Sequence, residues 1–146
     1  MQRYGNLLSI ILLAIALTHL SPALAQDITA IRKLELYAEN TDADPAKDSV
    51  KVFVIFGDSN AKDIRPPDGA VFPFKCTIFE YANDQQGRQI GFASGQLKSD
   101  RGFLSFLVPL PTVKTKTRVI AHVQATLQNG KVVEGKSTDT FDPHRY

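Results

Sequence analysis

Apolar residues recur at every second position through most of this chain, and this period limits the folds that it can adopt. In the segment 118–127, "RVIAHVQATL", Val119, Ala121, Val123 and Ala125 alternate with mostly polar residues. Successive side chains of a β-strand point to opposite faces of a sheet, so this period predicts strands with one buried face. No stretch after residue 26 shows the 3.6-residue period of an amphipathic helix. The sequence therefore predicts an all-β fold.

About seven extended segments can be marked along the chain. They cover residues 28–38, 50–56, 72–81, 88–97 and 103–108, followed by the two strands of a hairpin within 118–141. Clusters of Gly, Asn, Asp and Pro separate them, as is typical of a β-sandwich or barrel. In the last hairpin, Asn129-Gly130 predicts a two-residue type I′ turn, because both residues accept a positive φ at little cost.

The count of about seven strands and the closing hairpin resemble immunoglobulin-like and fibronectin type III domains. The resemblance spans most of residues 26–146 and is one of pattern. The Cys…Trp…Cys signature of true immunoglobulin domains is absent, since the chain has one Cys and no Trp. The resemblance implies a β-sandwich in which the second and fifth strands are neighbours in one sheet. We predict a single domain of this kind over residues 26–146.

The first 25 residues have the pattern of a cleaved signal peptide. Arg3 precedes the apolar run 7–17, and small residues at Ala23 and Ala25 form an A-x-A cleavage site. The apolar run has 11 residues, whereas a membrane-spanning helix needs roughly 20. We therefore predict cleavage after Ala25 and a secreted or periplasmic protein with no membrane span after cleavage.

Composition and motifs argue against several classes of function. A formal net charge of +2 is not that of a polycation that coats nucleic acid. The sequence has no GxSxG, HExxH or phosphate-binding glycine motif, and its mature histidines, His122 and His144, are distant from each other. Cys76 is the only cysteine, which excludes an internal disulfide, and it shares a strand face with Phe74 and Ile78. We predict a buried, inert thiol, and a protein that is not an enzyme and has no cofactor or metal ligands.

Two acidic loops leave an alternative open. The segments 40–48 and 57–69 each contain several aspartates. Clustered carboxylates at one end of a sandwich are typical of calcium sites, although neither loop has EF-hand spacing. The alternative function is therefore a small-ligand, calcium or carbohydrate-binding module that uses these loops.

Apolar residues on both faces of two strands predict an interaction surface. In the second strand Phe53 and Ile55 lie opposite the core face, and in the fifth strand Phe103 and Leu107 do so. A half-exposed strand would carry polar residues there. If these strands are neighbours, the four side chains form one outward apolar patch, unless the loop 57–69 or the segment 110–117 folds over it. We predict an exported, non-catalytic interaction or structural module that binds another exported protein or a second copy of itself.

Overall fold

A computed structural model of the chain describes residues 27–145, which form strands and loops without a helix. The predicted signal peptide lies outside these residues. The eight strands are β1 (Ala30–Glu39), β2 (Ser49–Gly57), β3 (Asp63–Ile64), β4 (Val71–Ala82), β5 (Gln85–Lys98), β6 (Ser105–Pro109), β7 (Thr117–Thr126) and β8 (Val132–Phe141). Seven of them correspond to the predicted segments, and the eighth, β3, is a two-residue strand inside the loop 57–69. The prediction of an all-β fold is confirmed.

The strands form two antiparallel sheets. In the first sheet β1 pairs along one side of β2, so β6 and β3 must occupy successive parts of the other side. The second sheet has the order β5-β4-β7-β8. Their inner faces share one buried apolar cluster, as in a β-sandwich.

The period of two places the core as the sequence predicts. The inward residues of the three central strands are all buried: Val50, Val52, Val54 and Phe56 in β2, Phe72, Phe74, Cys76 and Ile78 in β4, and Val119, Ala121, Val123 and Ala125 in β7. Aromatic rings join the two sheets, since Phe56 lies edge-on to Phe72 with ring centroids 5.1 Å apart, and Phe74 stacks on Phe106 at 4.2 Å. Burial of this apolar surface is the main stabilising contribution to such a fold.

The prediction for the turn at Asn129-Gly130 is wrong. Only Gly130 has a positive φ in this turn, of 83°. The amide of Gly130 donates to the carbonyl of Leu127 at 2.9 Å, and the amide of Leu127 donates to the carbonyl of Lys131 at 2.8 Å. These bonds define a three-residue loop that ends in a left-handed glycine, which is the next commonest hairpin connection.

A tight turn occurs instead between β4 and β5. The sequence segment 82–87 looks like a six-residue turn, but β4 ends at Ala82 and β5 begins at Gln85. Asn83 and Asp84 both have positive φ, of 52° and 57°, as a type I′ turn requires. Asn and Asp tolerate this conformation better than other non-glycine residues. Strand β5 is therefore longer than the predicted 88–97 segment.

No helix among residues 27–145 is long and apolar enough to cross a membrane.

Candidate functional site

The second and fifth predicted strands are neighbours, as the resemblance implies. Strand β6 pairs with β2, and the register sets Leu107 opposite Lys51 and Ser105 opposite Phe53. On the outer face of this sheet Leu107 is 46% exposed, whereas Phe53 and Ile55 are half-buried. Phe103 is 55% exposed and lies in the turn before β6, not in the strand as predicted. The four predicted patch residues therefore lie on one outward face.

Strand β1 adds an aromatic residue that the sequence analysis missed. Tyr37 pairs with Lys51 across β1 and β2, and 51% of it is exposed. Its ring lies perpendicular to that of Phe53 with the centroids 5.6 Å apart, and the Nζ atom of Lys51 lies 5.5 Å from the centroid of Phe53. The alternation of Tyr37 with inward Leu36 and Ala38 already indicated its direction, but its proximity to Phe53 depends on the β1–β2 register.

These side chains surround a cavity of about 440 Å³ on the outer face, which we call the outer-face concavity. Its lining residues are Glu35, Tyr37, Phe53, Val54, Ile55, Asp63, Ile64, Arg65, Gly102, Phe103 and Leu104. Three of the four predicted patch residues are among them. Leu107 lies on the same sheet face but does not line the concavity.

The loop 57–69 forms one wall of the concavity instead of covering it. Its strand β3 pairs with the end of β2, setting Ile64 opposite Phe56. The guanidinium carbon of Arg65 lies 5.1 Å from the centroid of the Phe103 ring, a distance at which a cation is attracted to an aromatic face. The loop thus leaves Phe103 more than half exposed, and the predicted alternative of an internal patch is wrong for this residue.

Hydrogen bonds between the loop and the turn before β6 fix the wall in place. The carboxylate of Asp68 accepts from the amide of Arg101 at 3.0 Å, and the amide of Gly69 donates to the carbonyl of Ser99 at 2.9 Å. Gly102 has a φ of 84°, and a Cβ atom there would lie 2.9 Å from the Cβ of Arg65. Glycine at this position therefore permits both the turn and the close approach of the loop.

The charged groups at the rim are paired within the chain. Glu35 accepts hydrogen bonds from Lys33 and from the Tyr37 hydroxyl, and the bond from Lys33 is the main reason that the pKa of Glu35 is lowered. Asp63 forms an ion pair with Arg32. Because these acids already have partners, the exposed apolar side chains are the more available part of the concavity.

The acidic loop 40–48 uses its carboxylates to form its own turns. Asp42 accepts from the amide of Asp44 at 2.8 Å, and Asp44 accepts from that of Ala46 at 2.9 Å. Asp48 accepts from Thr41, and the bond from the Thr41 side chain is the main reason that the pKa of Asp48 is lowered. Such local bonds explain why aspartate is frequent in loops. Within residues 27–145 no three His, Cys, Asp or Glu side chains are grouped to hold a metal ion.

Neither His122 nor His144 lines the concavity. The Nε2 atom of His144 lies 3.2 Å from the carbonyl oxygen of Lys114. His122 lies on the outer face of the second sheet against Phe79, with ring centroids 5.1 Å apart. Its Nε2 atom is buried without a hydrogen-bond partner, and burial is the main reason that its pKa is lowered. His122 lies on the polar, outward face of β7, and Phe79 covers part of its ring, so the residue is half-buried.

Cys76 is fully buried between the sheets, as predicted, and burial raises the pKa of its thiol to about 12. Only the thiolate is a strong nucleophile, so at pH 8 about one thiol in ten thousand would be reactive even if it were accessible. We expect very slow reaction with a thiol reagent in the native protein and one reactive thiol per chain after denaturation. Rapid labelling under native conditions would show that Cys76 is not part of the core.

A search of protein-family models found no family that matches the chain, and comparisons with curated proteins and with solved structures found no match either.

Proposed function

We propose that this chain is an exported, non-catalytic β-sandwich module that binds another protein through the outer face of its first sheet. The observation that carries the proposal is the outer-face concavity, in which Tyr37, Phe53 and Phe103 present aromatic surface beside Arg65. Aromatic residues and arginine are enriched where protein interfaces have most of their binding energy.

The amount of exposed apolar surface supports this proposal. Tyr37, Phe103 and Leu107 are each about half exposed on one sheet face. A phenylalanine or tyrosine side chain has an area of about 150–250 Å², so these side chains with Phe53 and Ile55 approach the few hundred Å² that mark an interaction site. The inert Cys76 and the separated histidines support a non-catalytic role.

The strand order supports a fibronectin type III-like type of sandwich. Strands β1, β2 and β6 lie in one sheet, and β5, β4, β7 and β8 form the other. In chain order of the long strands this is first-second-fifth against fourth-third-sixth-seventh, so the second and fifth strands are neighbours as the resemblance implies. The signal-peptide pattern of residues 1–25 supports export to the periplasm or the exterior.

Replacement of two exposed side chains by glutamate tests the proposal with little risk to the fold. In Phe103→Glu combined with Leu107→Glu, each new carboxylate has a basic neighbour, Arg65 or Lys51. We expect the variant to stay folded and to lose a partner captured by the unsubstituted protein in its native compartment. If each side chain contributes the 1–2 kcal/mol of an ordinary interface anchor, affinity should fall about 30-fold or more.

A matched control removes two exposed apolar residues from the other sheet. Val71→Glu combined with Val132→Glu changes the net charge equally, and these side chains are 41% and 52% exposed. The partner should bind this variant as it binds the unsubstituted protein. Equal loss in both double variants, or no loss in the Phe103/Leu107 variant, would contradict the proposed face.

A small apolar ligand is the second candidate, because the loop 57–69 contributes Ile64 and Arg65 to the concavity. Its volume of about 440 Å³ lies within the range of roughly 300–1,000 Å³ that is usual for small-molecule sites. A ligand that binds only the native state raises the melting temperature. A rise with a small molecule that is abolished by Phe103→Glu would favour this candidate over a protein partner.

A further inference from the structure

The longest strand of the described chain has one unpaired side. Strand β5 spans 14 residues and pairs with β4. Within residues 27–145 no strand pairs with its other side, and no backbone hydrogen bond to a loop satisfies that side. Ten of its residues are exposed, although the end of β6 packs against the core side of β5 at Gly91. Its outward N–H and C=O groups are therefore available to another strand.

The other strands at the sheet edges carry features that discourage pairing with another chain. Strand β6 has only five residues and ends at Pro109, and short length and proline both protect an edge. Strands β1 and β8 lie close together, since a Cβ atom on Gly135 would be 2.5 Å from Ile31. They also carry charged residues, namely Arg32, Lys33, Glu35 and Glu39 in β1, and Glu134, Lys136 and Asp139 in β8.

The central part of β5 lacks these protective features. Residues 89–97, "QIGFASGQL", contain no charge and no proline. Phe92 is 50% exposed on the outer face. A β-bulge near Ile90 ends the regular pairing with β4 on one side, which leaves residues 91–98 in unbroken register with 71–78. Eight regular residues are enough for a strand-to-strand contact, since strands of globular proteins average five or six.

We propose that β5 pairs antiparallel with β5 of a second copy of this chain, across a two-fold axis at Ser94. The two second sheets then form one continuous sheet of eight strands. A two-fold contact uses the same surface twice, so it requires a self-complementary edge. With the axis at Ser94, residue 91 of one copy lies opposite residue 97 of the other, and residues 91–97 contain no charged side chain.

Charge complementarity at the two ends favours this register. Arg88 lies beyond one end of the uncharged segment and Asp100 beyond the other. Each side chain is exposed and forms a surface ion pair within its own chain, Arg88 with Glu80 and Asp100 with Arg101. Exposed pairs of this kind contribute little to stability, so they oppose a contact with a second copy only weakly. An antiparallel partner centred on Ser94 brings the Arg88 end of each copy towards Asp100 of the other. A register centred on Ala93 would instead set Arg88 opposite Lys98, and like charges that face each other across strands are destabilising.

The test is the association state of the folded product after expression of the full chain. We expect sedimentation equilibrium to show a reversible monomer–dimer equilibrium. Ser94→Lys sets two like charges together at the axis, and we expect it to weaken association at least tenfold. Ser94→Glu should do the same, whereas an equimolar mixture of the two variants should associate more strongly than either variant alone.

Thr138→Lys is the matched control, because it adds the same charge to an exposed residue of β8 in the same sheet. It should dimerise as the unsubstituted chain does. A protein that stays monomeric up to roughly 0.5 mM would have a dimer dissociation constant weaker than about 1 mM. That result would overturn the inference. So would a dimer that is unaffected by Ser94→Lys, or a mixture of the charge variants that does not associate.

This inference and the proposed function can fail separately. The Phe103→Glu and Leu107→Glu variant changes the first sheet and leaves β5 intact, so it should still dimerise. If that variant loses the dimer while Ser94→Lys retains it, the outer face of the first sheet is the self-association surface and the β5 inference is wrong. If both variants retain the dimer, a contact elsewhere holds it and the inference is also wrong.

Discussion

Replacement of Phe56 by alanine is expected to lower the free energy of unfolding by about 3–5 kcal/mol, because it leaves a cavity in a close-packed core. Phe56 is completely buried and its ring contacts that of Phe72 between the two sheets. It also lies opposite Ile64 of β3, so its loss should loosen the wall of the outer-face concavity. Chemical denaturation followed by circular dichroism measures the change.

Phe92→Ala is the matched control for this prediction. It removes the same side chain from a strand position that is 50% exposed, and exposed substitutions usually change stability by about 0.5 kcal/mol or less. The comparison should be made at low protein concentration, so that association through β5 does not contribute. Equal effects of the two substitutions would show that Phe56 is not enclosed by both sheets.

The core was predictable from sequence because strand geometry converts position directly into direction. Val52 and Val54 point inward and Phe53 points outward for the same reason, the alternation of side chains along an extended backbone. This rule needs no knowledge of neighbouring strands. It therefore identifies the residues of the buried face before the order of the strands is known.

The outer-face concavity was only partly predictable, because it depends on contacts between distant segments. Phe53 and Phe103 could be chosen from their direction and from the implied pairing of two strands. Arg65 could not, since its approach to Phe103 depends on a loop held by hydrogen bonds to the turn at 99–102. Leu107 has the right direction, but its place along β6 sets it beyond the concavity.

The turns show how local preference can be overridden. Asn129-Gly130 favours a type I′ turn, but the chain uses one more residue there and only Gly130 has a positive φ. Asn83 and Asp84 form the tight turn in a segment that looks longer and polar. Turn type follows from how many residues the paired strands leave between them, which sequence preference alone does not determine.

Replacement of Gly91 by alanine is expected to destabilise the protein by about 2–3 kcal/mol, near the upper end of the usual cost of overpacking. Gly91 faces the core from β5, opposite Ile78. A Cβ atom there would lie 2.5 Å from Cδ2 of Leu110 and 3.2 Å from the backbone carbonyl oxygen of Pro109. Leu110 is completely buried, so it cannot turn into solvent, and relief requires that β6 move away from β5.

Gly87→Ala in the same strand provides the control, because its Cβ atom would meet no atom closer than 3.4 Å. This substitution should be neutral or slightly stabilising, since alanine loses less backbone entropy than glycine on folding. The denaturant midpoints of the two variants give the difference in their free energies of unfolding when the slopes of the two transitions are equal. Because β6 carries Leu107 and follows Phe103, a displaced β6 should also weaken binding at the outer face of the first sheet. A Gly91→Ala protein as stable as Gly87→Ala would mean that β5 and β6 are too far apart for an alanine side chain to touch Leu110 and Pro109.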